Sequence, residues 1–196
     1  MLKIFKPLLL AGLLAAASGL SAQETTTPPT ADVATELDMG TAIADPNAVG
    51  TPYIRDTFGD WSLRCLRAEA GQNDPCQLYQ LLNDADGNSV AESSVFPLPA
   101  GGRAAAGATI VAPLETLLTE QLQIAVDGSA ARRYPFTFCN QAGCVARVGF
   151  TQEEVDQFKR GNKATLRMVP AAAPDQEVVL DVSLTGFTAG IDGSAQ

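Results

Sequence analysis

The sequence predicts a mainly β protein: an antiparallel β-sandwich or barrel-like domain with one short helix and two local disulfides. Three observations carry this. Apolar and polar residues alternate with period two in several short runs, which sends one set of side chains inward and the other to solvent. Turn-forming residues separate those runs at short intervals, as in sandwiches and barrels. The chain has four cysteines, an even number, in two sequence-local pairs.

The first paired strands run over 61–67 and 77–82, with Cys65 and Cys76 closing the loop between them. The sequence Asp86-Gly87-Asn88 marks the next turn. Leu122, Ile124 and Val126 then alternate with Gln121, Gln123 and Asp127, and Asp127-Gly128 ends that run. Residues 136–139 and 144–148 read as a hairpin around a four-residue loop, Asn140-Gln141-Ala142-Gly143, with Gly143 supplying a positive φ. Cys139 and Cys144 then face each other across the ladder, within disulfide reach. That pairing sends Phe136 and Phe138 to one face and Ala146, Val148 and Phe150 to the other. Either both faces are covered or a bulge shifts the register, and the sequence leaves both open.

Thr151-Gln152-Glu153-Glu154 has the capping-box form. Val155 and Phe158 fall on one face behind it, Lys159 and Arg160 suit the C-terminal end, and Gly161 can close the helix in a left-handed conformation. Leu166 and Met168 belong to another strand, which Pro170 stops. After a loop over 171–175, Val178, Leu180, Val182 and Leu184 alternate with Val179, Asp181, Ser183 and Thr185.

These elements lie in one domain, 52–192, of ordinary size. Residues 1–22 read as a signal peptide: Lys3 and Lys6 precede an apolar stretch over 7–17, and the small residues Ser18, Gly19, Ser21 and Ala22 follow. Residues 23–51 include Thr25-Thr26-Thr27-Pro28-Pro29-Thr30 and almost no large apolar side chain, a composition that predicts a disordered tail. The expected localisation is therefore periplasmic or secreted, with no transmembrane segment after signal cleavage. An exported compartment favours disulfides over free thiols.

Of the 196 residues, 13 are basic and 22 acidic, giving a net charge of −9, and signal cleavage removes two of the bases. Such a chain is repelled by nucleic acid, which is not an expected partner. It has no histidine, so it lacks the commonest general base and metal ligand, and no Ser-His-Asp triad is available. Neither cysteine pair is a Cys-x-x-Cys motif, and only one pair is close enough for paired zinc-ligand spacing. Asp84-Ala85-Asp86-Gly87-Asn88 has the opening acids of a calcium loop, but its glycine is misplaced and position twelve is Val95. It reads better as a turn. Pro99-Ala100-Gly101-Gly102-Arg103 lacks the lysine of a phosphate loop. Arg132-Arg133, an adjacent basic pair, reads as a solvated hairpin edge.

A set of short motifs ties the chain to a known family. In order they are Phe58-Gly59-Asp60-Trp61, Cys65 and Cys76, Arg133 with Pro135-Phe136, Cys139, Gly143-Cys144, the capped helix, and Ser183-Leu184-Thr185-Gly186-Phe187. The layout resembles the invasion-associated locus B family of exported bacterial proteins over about 58–187. The resemblance implies a role in host-cell invasion for pathogenic members and brings no catalytic residues with it. Among the matched residues, Trp61 reads as a core anchor beside the first staple, and Gly59 and Gly186 as turn or bulge positions. Phe187 breaks the parity set by Leu184, as a bulge at Gly186 would.

The expected function is a non-enzymatic binding or interaction protein of the cell envelope, with an unknown protein or envelope component as partner. No cofactor, metal or catalytic residue is assigned; the assigned residues are the disulfide cysteines Cys65, Cys76, Cys139 and Cys144. The alternatives are an acidic-site hydrolase acting on glycans and a calcium-stabilised structural module.

Overall fold

The computed structural model describes residues 40–43 and 45–194. The predicted signal peptide and most of the predicted tail fall outside them. Residues 44–196 form the compact unit that carries the fold.

Its strands are β1 (Pro52–Phe58), β2 (Trp61–Leu66), β3 (Cys76–Asn83), β4 (Ser89–Pro97), β5 (Ala106–Ala112), β6 (Leu122–Val126), β7 (Arg132–Tyr134), β8 (Phe138–Asn140), β9 (Gly143–Phe150), β10 (Lys163–Met168) and β11 (Val178–Ser183). They build a seven-stranded sheet in the order β1-β2-β3-β4-β5-β9-β8 and a four-stranded sheet in the order β11-β10-β6-β7. Every pairing is antiparallel. The sheets share one core. Trp61, Leu63, Leu78, Ile110 and Phe150 from the larger meet Leu122, Leu166, Leu180 and Val182 from the smaller. The alternation read from the sequence holds in β11: Leu180 and Val182 are buried, while Val179 and Asp181 are exposed.

Helix α1 (Gln152–Arg160) starts as the sequence predicts. The Thr151 Oγ accepts from the Glu154 N–H, and the Glu154 carboxylate accepts from the Thr151 N–H at 2.8 Å. Val155 and Phe158 are buried. Its C-terminal end differs from the expectation. Gly161 is extended, at φ −76° and ψ 160°, not left-handed. Glycine is needed there for closeness: a Cβ would lie 2.6 Å from Val126 Cγ1 and 2.8 Å from Leu184 Cδ1.

A second helix, α2 (Phe187–Ser194), follows β11 where the sequence offers no helix signal. Two of its residues are glycines, poor helix formers. Gly190 is there because a Cβ would meet Leu78 Cδ2 at 2.5 Å, so packing overrides propensity. The parity break at Phe187 is thus the start of a helix and not a bulge.

Both disulfides, Cys65–Cys76 and Cys139–Cys144, join residues paired directly across neighbouring strands. The second hairpin is tighter than expected. Asn140 pairs with Gly143, leaving a two-residue turn at Gln141-Ala142. The register conflict also resolves. Phe138 lies opposite Val145 and is 40% exposed, with the Arg147 guanidinium 5.7 Å from its ring centre. Phe136 precedes the strand and packs against the core. Residues 45–51, assigned to the tail by composition, are tied to the end of β2. Gly50 N–H donates to Arg67 O, and Arg67 Nε donates to Pro46 O.

Candidate functional site

The two motifs farthest apart in sequence meet. Phe58-Gly59-Asp60-Trp61 lies at the β1–β2 turn, and Ser183-Leu184-Thr185-Gly186-Phe187 leads from β11 into α2. Their backbones touch: a Cβ on Gly186 would lie 2.0 Å from Phe58 O, and one on Gly59 would lie 2.5 Å from Thr185 O. Both glycines also have positive φ, 56° and 87°, so glycine is required twice over. Asp60 N–H donates to Thr185 O at 3.1 Å.

Around this contact runs a polar network. Trp61 Nε1 donates to Ser183 O at 2.8 Å, and its ring stands edge-on to Phe187 with centres 5.5 Å apart. Trp61 is 1% exposed, the core anchor the sequence predicts. Gln80, buried on β3, bridges the sheets. Its Nε2 donates to Asp60 O and Ser183 O, and its Oε1 accepts from the Ser183 N–H at 2.9 Å. Ser183 Oγ donates to Asp60 Oδ2 at 2.6 Å.

Beside the network a groove of about 460 Å³ opens between the sheets. Asp60, Gln80 and Leu81 line one wall, and Lys163, Asp181 and Ser183 the other. Leu81 is 43% exposed, and Lys163 Nζ pairs with Asp181 Oδ2 at 3.0 Å. A cavity between the sheets near Trp61 and Ile124 measures only about 20 Å³ and is almost wholly apolar, too small for a ligand. Hollows of about 470 and 370 Å³ also lie beside Phe96–Pro99 and beside Arg64 and Gln77; the groove is the candidate site because it adjoins the junction of the two motifs.

Most groups with perturbed titration lie outside the groove and hold loops and layers together. Glu154 is buried and accepts from Tyr134 Oη at 2.6 Å, from the Thr151 N–H and Oγ, and from Arg132 Nε at 3.1 Å. Burial, the largest single influence, opposes its charge, but these donors together hold its carboxyl below the ordinary range. Burial first, then the bond to Glu154, pushes the Tyr134 phenol up. Hydrogen bonds hold three surface carboxyls low: from Tyr53 and Ala68 to Asp74, from Asn88 above all to Asp84, and from the backbone of Asn162 and Lys163 to Asp127. Asp84 so closes the β3–β4 turn on itself, accepting from the N–H groups of Asp86 and Asn88 and from Asn88 Nδ2.

Of the residues singled out in the sequence, the structure brings Gly59, Trp61 and Gly186 into the junction. It does not bring Arg132, Arg133 or the Asp84 turn there. Arg132 pairs with Glu154, and Arg133 is exposed on β7. Gln80, Asp60 and Ser183 were missed as partners. Asp60 and Ser183 lie inside the recognised motifs, which was the available signal; Gln80 carries none, being one polar residue in an ordinary strand.

A small two-sheet domain with one disulfide beside the core, another in an edge hairpin, and its end sealed by Gly-Asp-Trp against Ser-Leu-Thr-Gly-Phe is a disulfide-stapled two-sheet β-domain. The chain belongs to the invasion associated locus B (IalB) protein family, whose model matches residues 61–195. It is 25% identical over 158 residues to an invasion protein B homolog of Brucella abortus strain 2308, covering 81% of this chain and 88% of that one. The homolog from Brucella abortus biovar 1 strain 9-941 matches to the same extent. The crystal structure of invasion associated protein b from Bartonella henselae superposes with a TM-score of 0.58 at 25% identity, covering 71% of this chain and 92% of that chain. No helix among the described residues is long and apolar enough to cross a membrane.

Proposed function

We propose that this chain is an exported protein of the bacterial cell envelope, periplasmic or secreted, that acts by binding another envelope or host component and not by catalysis. The observation that carries this is the fate of five of its perturbed titratable groups. Glu154, Tyr134, Asp74, Asp84 and Asp127 are each engaged in capping a helix, closing a turn or joining two layers. Perturbed groups at catalytic centres face a cleft and a substrate; these bond to one another, to neighbouring side chains and to backbone N–H groups of their own domain. The names of the Brucella and Bartonella relatives tie those proteins to invasion.

The acidic groove gives the glycan-hydrolase reading its one foothold, since Asp60 and Asp181 both line it. Yet Asp60 accepts from Ser183 Oγ and Asp181 pairs with Lys163, so each carboxylate already has a partner. The test uses the purified full chain. Saturable binding to an envelope fraction, without turnover of ester, peptide, phosphate or glycoside substrates, is the expected result. Reproducible turnover that disappears on changing Asp60 or Asp181 would overturn it.

A further inference from the structure

One wall of the groove includes Asp181 and Ser183 of the edge strand β11, and the edge continues past the groove to Val179. In an antiparallel pair, alternate residues point both N–H and C=O toward the neighbouring strand, and the residues between them point both away. Ser183 points its N–H and C=O to Gln80 and Trp61, away from β10. Leu184, next in the chain, turns back and donates to Asn162 O. By the same alternation Val179 and Asp181 point their N–H and C=O away from β10, and no described residue accepts from or donates to them there. The register of β10 with β11 runs unbroken from Met168–Val178 to Lys163–Ser183.

The other edges are blunted in ways β11 is not. Strand β1 begins with a proline and carries an irregularity between Ile54 and Asp56; β7 and β8 have three residues each. Strand β11 has no proline and no bulge, and its edge opens onto the groove that Leu81 and Asp60 line from the opposite sheet.

We infer that β11 accepts an extended, basic segment of a partner protein as an added strand, with Val179 and Asp181 supplying the main-chain hydrogen bonds. This rests on the binding reading above and names its mode. Strand addition takes its affinity from the main chain and its specificity from pockets at alternate side chains. The exposed Val179 and Leu81 offer apolar footing; Asp60 and Asp181 outnumber Lys163, the one base lining the groove, and with the chain's net charge of −9 they favour cationic side chains. A second copy of the chain is the poorer occupant. It would bring another Asp181 to the seam and another net charge of −9 to the encounter.

The test titrates a capped peptide of alternating lysine and valine into the full chain and follows the backbone amides by NMR. Saturable shifts centred on Val179 and Asp181 are expected. A probe N-methylated at alternate residues, unable to complete the ladder, is expected to bind about tenfold more weakly. Val179→Pro removes one outward N–H at an edge position that tolerates proline, and is expected to weaken the probe similarly. Asp181→Lys is expected to reverse the ranking, favouring a glutamate-valine peptide. Shifts centred elsewhere, equal binding of the N-methylated probe, or an unchanged ranking in Asp181→Lys would overturn the inference. So would concentration-dependent dimerisation lost in Val179→Pro, which would make a second copy the occupant. If Val179→Pro does not fold, the N-methylated probe decides alone. Envelope binding that survives in a folded Val179→Pro while the probe fails to bind would overturn the edge site and leave the binding reading standing.

Discussion

The four-stranded sheet is fastened to the rest of the domain along both of its edges, by different chemistry. At β11 the fastening runs mainly through uncharged groups: the Trp61 indole and the Gln80 amide bond to the Ser183 backbone, and the exposed Asp60 carboxylate accepts from the Ser183 hydroxyl. At β7 it is ionic: Tyr134 and Arg132 bond to Glu154 on α1, and the Tyr134 ring stands edge-on to Phe150 with centres 6.0 Å apart. The difference teaches where pH can act. The first clasp has no titrating atom in its bonds to the Ser183 backbone; its one carboxylate, Asp60, is exposed and accepts from the Ser183 hydroxyl. The second contains a buried carboxylate that must stay charged and a phenol that must stay protonated.

The largest expected effect breaks the β11 clasp. Trp61→Ala should cost about 3–5 kcal/mol, the usual range for a buried aromatic cut to alanine, seen as a large fall in melting temperature. An unchanged melting temperature would show that the ring is not an anchor. Removing the Cys65–Cys76 disulfide, beside that clasp in the core, should cost roughly 3 kcal/mol; removing Cys139–Cys144, in an edge hairpin, roughly 2 kcal/mol, since it closes a shorter loop. Urea midpoints of the two double-alanine variants check the order.

Glu154→Gln should cost about 2 kcal/mol at neutral pH, because it weakens charge-assisted bonds to a buried group. Its signature is pH dependence. The folded Glu154 carboxyl lies below its ordinary 4.5, so its contribution is present above that value and is lost as pH falls through the folded value. Tyr134 is raised, so its contribution is present below its ordinary 10.0 and fades as pH rises above it. Wild type minus Glu154→Gln should therefore shrink in acid. Gln80→Ala should cost a similar or smaller amount, and its difference from wild type should stay flat over the same range. A Gln80→Ala difference that titrates would erase the contrast between the clasps.

Local chemistry was legible in the sequence. The capping box at Thr151 and Glu154, the alternation in β11 and the cross-strand cysteine pairs depend on neighbours a few residues apart, and each forms as read. What escaped is non-local. Gln80 and Ser183 are separated by 103 residues, and nothing in either segment announces the other. Helix α2 escaped because packing against Leu78 and Trp61 overrides two glycines that argue against a helix. Gly161 was assigned the right importance for the wrong reason: it is required for closeness to Val126 and Leu184, not for a left-handed turn. For the candidate site, motif order marked Asp60 and Ser183, but the open edge between them follows only from the strand pairing.

Backbone amide exchange along β11 tests the account most directly, because it reads the clasp and the open edge together. Leu180 and Val182, bonded to β10, should exchange slowly. Ser183, held by Gln80, should also be slow and should speed up in Gln80→Ala. Val179 and Asp181 should exchange fast in the free chain. Protection at Val179 and Asp181 equal to that of Leu180, or Ser183 exchanging as fast as Val179, would contradict it.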